Sequence, residues 1–132
     1  MLARIDHIVL NCRDVAATAD WFEKALGLER VVFGPDKRIA LKFGDQKINL
    51  RPIGAENWIT GHSQEAGAVD ICFITEDGID AARRRLEAAG VDIILGPVTR
   101  TGSKGPMTSL YFRDPEGSLL EIASYDPADA LA

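Results

Sequence analysis

Cysteine is scarce in this chain. Cys12 and Cys72 are the only two, too few to staple a small secreted domain, and a chain of 132 residues can bury a core without them, so both are expected as reduced thiols. Long apolar runs are lacking as well. No stretch approaches the length of a membrane span, and the N-terminus opens directly into a strand pattern with no leader-like apolar region. No membrane partner and a cytoplasmic location are therefore expected. Positive charge is in deficit, with 15 Lys and Arg against 20 Asp and Glu and a formal net charge of −5. That excludes nucleic acid as the main partner, because such binding needs a basic face. A nucleotide loop is missing too: Arg100–Gly105, RTGSKG, lacks the Gly-Lys-Ser/Thr order and leads into no helical pattern.

What is present is an orderly succession of strands and helices. Met107–Tyr125, MTSLYFRDPEGSLLEIASY, reads as two alternating strands joined by the turn Asp114-Pro115-Glu116-Gly117; Pro fixes φ there and Gly accepts φ > 0. Strand parity sends Glu121 to one face and its neighbours Leu120 and Ile122 to the other, which places a carboxylate where a half-buried strand normally carries an apolar residue. Arg4–Cys12, RIDHIVLNC, sends Ile8 and Leu10 one way and His7, Val9 and Asn11 the other. A helix is expected over Val15–Leu26, capped by Asp14 and stopped by Gly27, followed by strands at Glu29–Phe33, Arg38–Phe43 and Gln46–Arg51. Pro52–Gly67 has no sustained period and reads as a linker. Beyond it come a strand at Ala68–Thr75, a helix from an Asp77 cap to Ala89 with Gly90 as its stop, and a short strand at Val91–Leu95. Gly96–Pro106 is expected to be a mobile basic loop, and the alanine-rich tail from Asp126 to fray.

These elements repeat. An offset of 63 residues maps His7 onto Asp70, Asp14 onto Asp77 and Gly27 onto Gly90, and Ile48-Asn49-Leu50 matches Leu120-Glu121-Ile122. The fold class is therefore α+β, with tandem βαβββ modules at residues 1–52 and 67–125, a linker at 53–66 and a tail at 126–132 within one domain. This plan, with His7 on the first strand, Glu121 on the eighth and the turn FRDPEG, resembles the vicinal oxygen chelate superfamily of glyoxalases, bleomycin-resistance proteins, extradiol dioxygenases and fosfomycin-resistance transferases. FGDQKINL at 43–50, GPVTRTGSKGP at 96–106 and SLYFRDPEGSLLE at 109–121 are similar to its glyoxalase-domain-containing-protein-five branch. The resemblance implies cup-shaped mixed sheets with helices on the outer face, a divalent metal at the base, a small-molecule substrate and a homodimer.

The four metal positions implied by the resemblance fall on His7, Asn49, Asp70 and Glu121. Asn49 stands where glutamate is usual and Asp70 where histidine is usual. One imidazole and two carboxylates still suit six-coordinate Mn, Ni, Fe or Mg, whereas the lack of a thiolate disfavours structural Zn. Against this stands a metal-free cluster in which Arg51 or Lys47 neutralises the carboxylates. As a substrate-binding residue Arg51 would grip an anion by a bidentate contact; otherwise it is a solvated strand end. Tyr111, Lys104 and Arg100 are further substrate-binding candidates, and Glu121 is the candidate catalytic base; Cys72 shares the face of Asp70, and His62 in the linker is a weaker candidate as a ligand or acid/base. The implied function is a divalent-metal-dependent lyase or isomerase acting on a small oxygen-rich carbonyl or anionic metabolite. A thiol transferase of the fosfomycin-resistance type and a non-catalytic binder of the bleomycin-resistance type are the alternatives.

Overall fold

Strand β1 (His7–Cys12) leads into helix α1 (Val15–Leu26), which begins where the extended Asp14 accepts a hydrogen bond from the Ala17 amide at 3.0 Å. The helix ends where Gly27 takes φ 68°, a left-handed conformation that glycine adopts without steric cost. A computed structural model describes all residues 1–132. Strands β2 (Glu29–Phe33), β3 (Arg38–Phe43) and β4 (Gln46–Pro52) complete the first βαβββ set. Strand β5 (Asp70–Ile74), helix α2 (Ile79–Ala88), β6 (Leu95–Gly102), β7 (Gly105–Arg113) and β8 (Leu119–Ser124) form the second.

The chain divides into two units, and the division is not a simple cut. The first holds Met1–Val69 together with Asp114–Gly117, and the second holds the rest. In the first, the sheet order is β1-β4-β3-β2, with β1 and β4 parallel and the other pairs antiparallel. Alternation sends Leu10, Cys12, Leu41, Ile48 and Leu50 toward α1, where they bury against Ala19, Phe22 and Ala25. The opposite face carries His7, Val9, Asn11, Lys47, Asn49 and Arg51. In the second unit the order is β5-β8-β7-β6, and Leu110, Phe112, Leu120 and Ile122 form the core under Leu86 of α2. Its other face carries Asp70, Cys72, Glu121, Ser109 and Tyr111.

The turn Asp114–Gly117 has a packing role. Glu116 is buried, accepts from the Asp14 amide at 2.9 Å and from the Thr18 hydroxyl at 3.3 Å, and pairs with Arg13 Nε at 3.1 Å. A carboxylate thus satisfies the exposed amide end of α1.

Four expectations are corrected. Asp77 does not cap α2: the cap position is Gly78 at φ 88°, and Asp129 Oδ2 accepts from the Ile79 amide at 3.3 Å instead. The tail accordingly does not fray, because Pro127–Asp129 forms a 3-10 turn in which Asp129 also accepts from Ser124 Oγ at 2.6 Å and, through its carbonyl, from Thr108 Oγ1 at 2.9 Å. The stretch 96–106 is a hairpin instead of a mobile loop, and no strand forms at Val91–Ile94. Arg100 pairs with Met107, Thr101 with Pro106 and Gly102 with Gly105, which leaves Ser103 and Lys104 as a two-residue connection.

Candidate functional site

Strand register builds the same row twice. In the first unit Val9 of β1 pairs with Asn49 of β4, and in the second Cys72 of β5 pairs with Glu121 of β8. Val9 and Cys72 each lie two residues beyond the first residue of their strand, so Asn49 and Glu121 occupy equivalent places. Both are withdrawn from water, at 6% and 7% relative exposure, and Asn49 Oδ1 and Glu121 Oε2 are buried without a hydrogen-bond partner. Buried oxygens are nearly always satisfied in folded proteins, so two orphans at matched positions call for a ligand.

His7 opens β1 with a side chain 44% exposed. Its Nδ1 lies 2.9 Å from Asp6 Oδ2, and this bond holds Asp6 below the usual carboxylate range. A carboxylate on Nδ1 fixes the tautomer that leaves Nε2 with its lone pair, which is how metal-binding imidazoles are commonly oriented. Asp6 was not evident from sequence, although its adjacency to His7 was the available signal. Asp70 is exposed at the start of β5. Within neither unit do three or more His, Cys, Asp or Glu side chains gather to hold a metal ion. The donors themselves, an imidazole nitrogen, an amide oxygen and carboxylate oxygens, fit a hard divalent cation.

Around Glu121 the second unit places two protic side chains. Burial, and then the neighbouring Glu121 carboxylate, push the Cys72 thiol up to about 11. The Tyr111 phenol is raised by the same two causes, offset in part by Arg100, whose Nε donates to the Tyr111 hydroxyl at 3.1 Å and whose guanidinium carbon lies 5.5 Å from the ring centre. Tyr111 is directly opposite Glu121 in the β7–β8 register. Arg100 and Tyr111 are thus brought together. Lys104 sits at the hairpin tip, its backbone amide donating to Tyr125 Oη at 3.1 Å, and His62 is exposed in the linker. Ser109, whose buried Oγ also lacks a partner, shares the face of Tyr111 and was not singled out from sequence.

Arg51 is not a solvated strand end. Only 2% of it is exposed, because residues of the 53–66 segment turn back over it: Gln64 Oε1 accepts from Nη1 at 3.0 Å and the Ala55 carbonyl from Nη2 at 3.1 Å. Nor do Arg51 and Lys47 neutralise a carboxylate by ion pairing. Lys47 Nζ lies 3.6 Å from the centre of the Phe33 ring, and the acceptors of Arg51 are all neutral.

Two βαβββ sets in tandem, each with a polar row on the face away from its helix, define a family plan, and the sequence comparisons agree with it. The model of the Glyoxalase/Bleomycin resistance protein/Dioxygenase superfamily matches residues 4–122, and the chain belongs to that superfamily. Glyoxalase domain-containing protein RDO1 of Mycosarcoma maydis is 40% identical over 124 residues, which are 94% of this chain and 69% of its own. Virulence protein STM3117 of Salmonella typhimurium is 40% identical over 125 residues, 95% of this chain and 86% of its own. The solved structure of integron cassette protein VCH_CASS1, from the mobile metagenome of V. cholerae, superposes with a TM-score of 0.92 at 44% identity, covering 96% of this chain and 98% of that one. Relatives with named activities include an ethylmalonyl-CoA/methylmalonyl-CoA epimerase of Cereibacter sphaeroides, 31% identical over 92% of this chain and 98% of its own. A metallothiol transferase FosB of Shouchella clausii is 42% identical over a shorter segment, 45% of this chain and 39% of its own.

Proposed function

We propose that the protein is a divalent-metal-dependent enzyme of the lyase or isomerase type that acts on a small oxygen-rich metabolite. The observation that carries this reading is the pair of buried, partnerless oxygens, Asn49 Oδ1 and Glu121 Oε2, at matched strand positions. His7, Asp70 and Glu121, with Asn49, are the residues that would hold Mn, Ni, Fe or Mg. When bound, such an ion polarises substrate oxygens as a Lewis acid. In this reading the protein works as a cytoplasmic homodimer.

The chain's own side chains then divide the labour unequally. Glu121 is the catalytic base, taking a proton beside a carbonyl and returning it, because it is the buried carboxylate of the polar face and its Oε2 has no hydrogen-bond partner. Asn49 cannot accept a proton, so the chemistry is one-sided at that position. Tyr111, held by Arg100, orients substrate beside Glu121, and Lys104 at the hairpin tip is a further substrate-binding residue of this reading. The test is exchange of substrate C–H with solvent deuterium, read by NMR across small 2-hydroxycarbonyl compounds and 2-substituted thioesters. Exchange that vanishes in Glu121→Gln supports the reading; exchange that is unchanged in this variant contradicts it.

A further inference from the structure

Arg51 is a buried cation with no counter-charge. A guanidinium offers five N–H donors, and three are committed: Nη1 to Asn11 Oδ1 at 3.3 Å, Nη1 to Gln64 Oε1 at 3.0 Å and Nη2 to the Ala55 carbonyl at 3.1 Å. Each of those acceptors is neutral. Nε–H has no acceptor at all, although the atom is buried, and one Nη2 proton is uncommitted. Chains do not withdraw a guanidinium from water without a counter-charge at no cost, because the desolvation of the charge is then offset only by hydrogen bonds to neutral acceptors. The neutral cage also does a specific thing: it fixes the orientation of the planar group and leaves uncommitted donors of the kind that engages a carboxylate or phosphonate.

The location gives the site a purpose. Arg51 and Asn49 are two residues apart on β4 and on one face of it, so their Cα atoms lie about 7 Å from one another. Asn49 presents an unsatisfied acceptor and Arg51 unsatisfied donors. We propose that Arg51 is the oxyanion subsite of this protein, and that its substrates are small acids carrying a carboxylate or phosphonate only a few bonds from the oxygens that react. This inference rests on the proposed function for its placement of the reacting oxygens, but the anion subsite itself does not need the metal. Gln64 takes part as a positioning residue, since its Oε1 also accepts from the Gly54 amide at 3.2 Å and so ties the covering segment to the guanidinium.

The experiment follows the Arg51 Nε–H signal in 1H–15N spectra of chelator-stripped full-length protein, identified by its loss in Arg51→Lys. Lactate and methylphosphonate are titrated as probes, with lactamide as the uncharged control and chloride for ionic strength. The expected result is a saturable displacement by at least one of the two oxyanions, none by lactamide or chloride, and at least tenfold weaker oxyanion binding in Arg51→Gln followed on backbone amides. A signal that no oxyanion moves, or affinity unchanged in Arg51→Gln, overturns the proposal. Through-bond assignment of Nε–H from the Arg51 backbone amide lets the wild-type titration decide the matter even where a variant fails to fold. Oxyanion binding by protein that takes up no metal leaves this inference standing and removes the metal reading; metal uptake with no displacement does the reverse.

Discussion

Replacing Glu116 with alanine tests the claim that the turn of the second hairpin fastens the first unit. Its side chain is 6% exposed, and the alanine leaves the Asp14 amide and the Thr18 hydroxyl without their acceptor. Hydrogen bonds to a charged group contribute about 1.5–3 kcal/mol each when buried, so these two set a loss of about 3–4 kcal/mol with the Asp14 amide only part-buried. The Arg13 arm adds little, because that side chain is 63% exposed and an ion pair with so wet a partner contributes under about 1 kcal/mol. Against a total stability of about 5–15 kcal/mol this is a large fraction, equivalent to a melting temperature lower by about 10 °C. Urea unfolding at neutral pH measures it, with Glu116→Gln expected near half the effect, since an amide oxygen still accepts from Asp14, and Arg13→Ala nearly silent. A loss below about 0.5 kcal/mol for Glu116→Ala, or an equal loss for Arg13→Ala, would mean that Glu116 does not fasten α1.

Asp129→Ala removes the acceptor for the Ile79 amide and for Ser124 Oγ, so a loss of about 1–2 kcal/mol is expected, with faster hydrogen exchange confined to the first turn of α2. Stability should also fall in alkali. Burial, reinforced by Glu116, pushes the Cys12 thiol from 9.0 up to about 12, so between those values the unfolded chain gives up a proton that the folded chain keeps, and rising pH favours unfolding. The slope from this group reaches about 1.4 kcal/mol per pH unit, and urea melts at pH 8 and pH 10 on Cys12→Ala should show a flatter decline than the parent chain.

Much of the fold was legible because it is written locally. The cap Asp14, the stop Gly27 and the alternation that separates Leu10 from His7 act within a few residues of themselves. The offset that relates His7 to Asp70 also relates Val9 to Cys72, and the separate match of Asn49 with Glu121 completes the two rows that the strand register pairs. What failed depended on distant residues. Asp77 looks like a helix cap, but Gly78 intervenes and Asp129, 50 positions beyond Ile79, takes the task. The glycines of 96–106 suggested a loop, whereas the β-branched Val98, Thr99 and Thr101 pair against β7. Arg51 was placed on the correct face but not in its environment, because its burial comes from Gln64 and Ala55 in a segment with no periodic pattern to announce where it goes.

The proposed divalent ion at His7, Asp70 and Glu121 is tested by metal content, read by mass spectrometry after purification without chelators or an affinity metal. About one divalent ion per chain, reduced at least tenfold in His7→Ala and in Glu121→Gln while both remain folded, is the predicted result. No metal in the parent protein, and none taken up on adding Mn(II) or Ni(II), would rule out a resident ion at these residues.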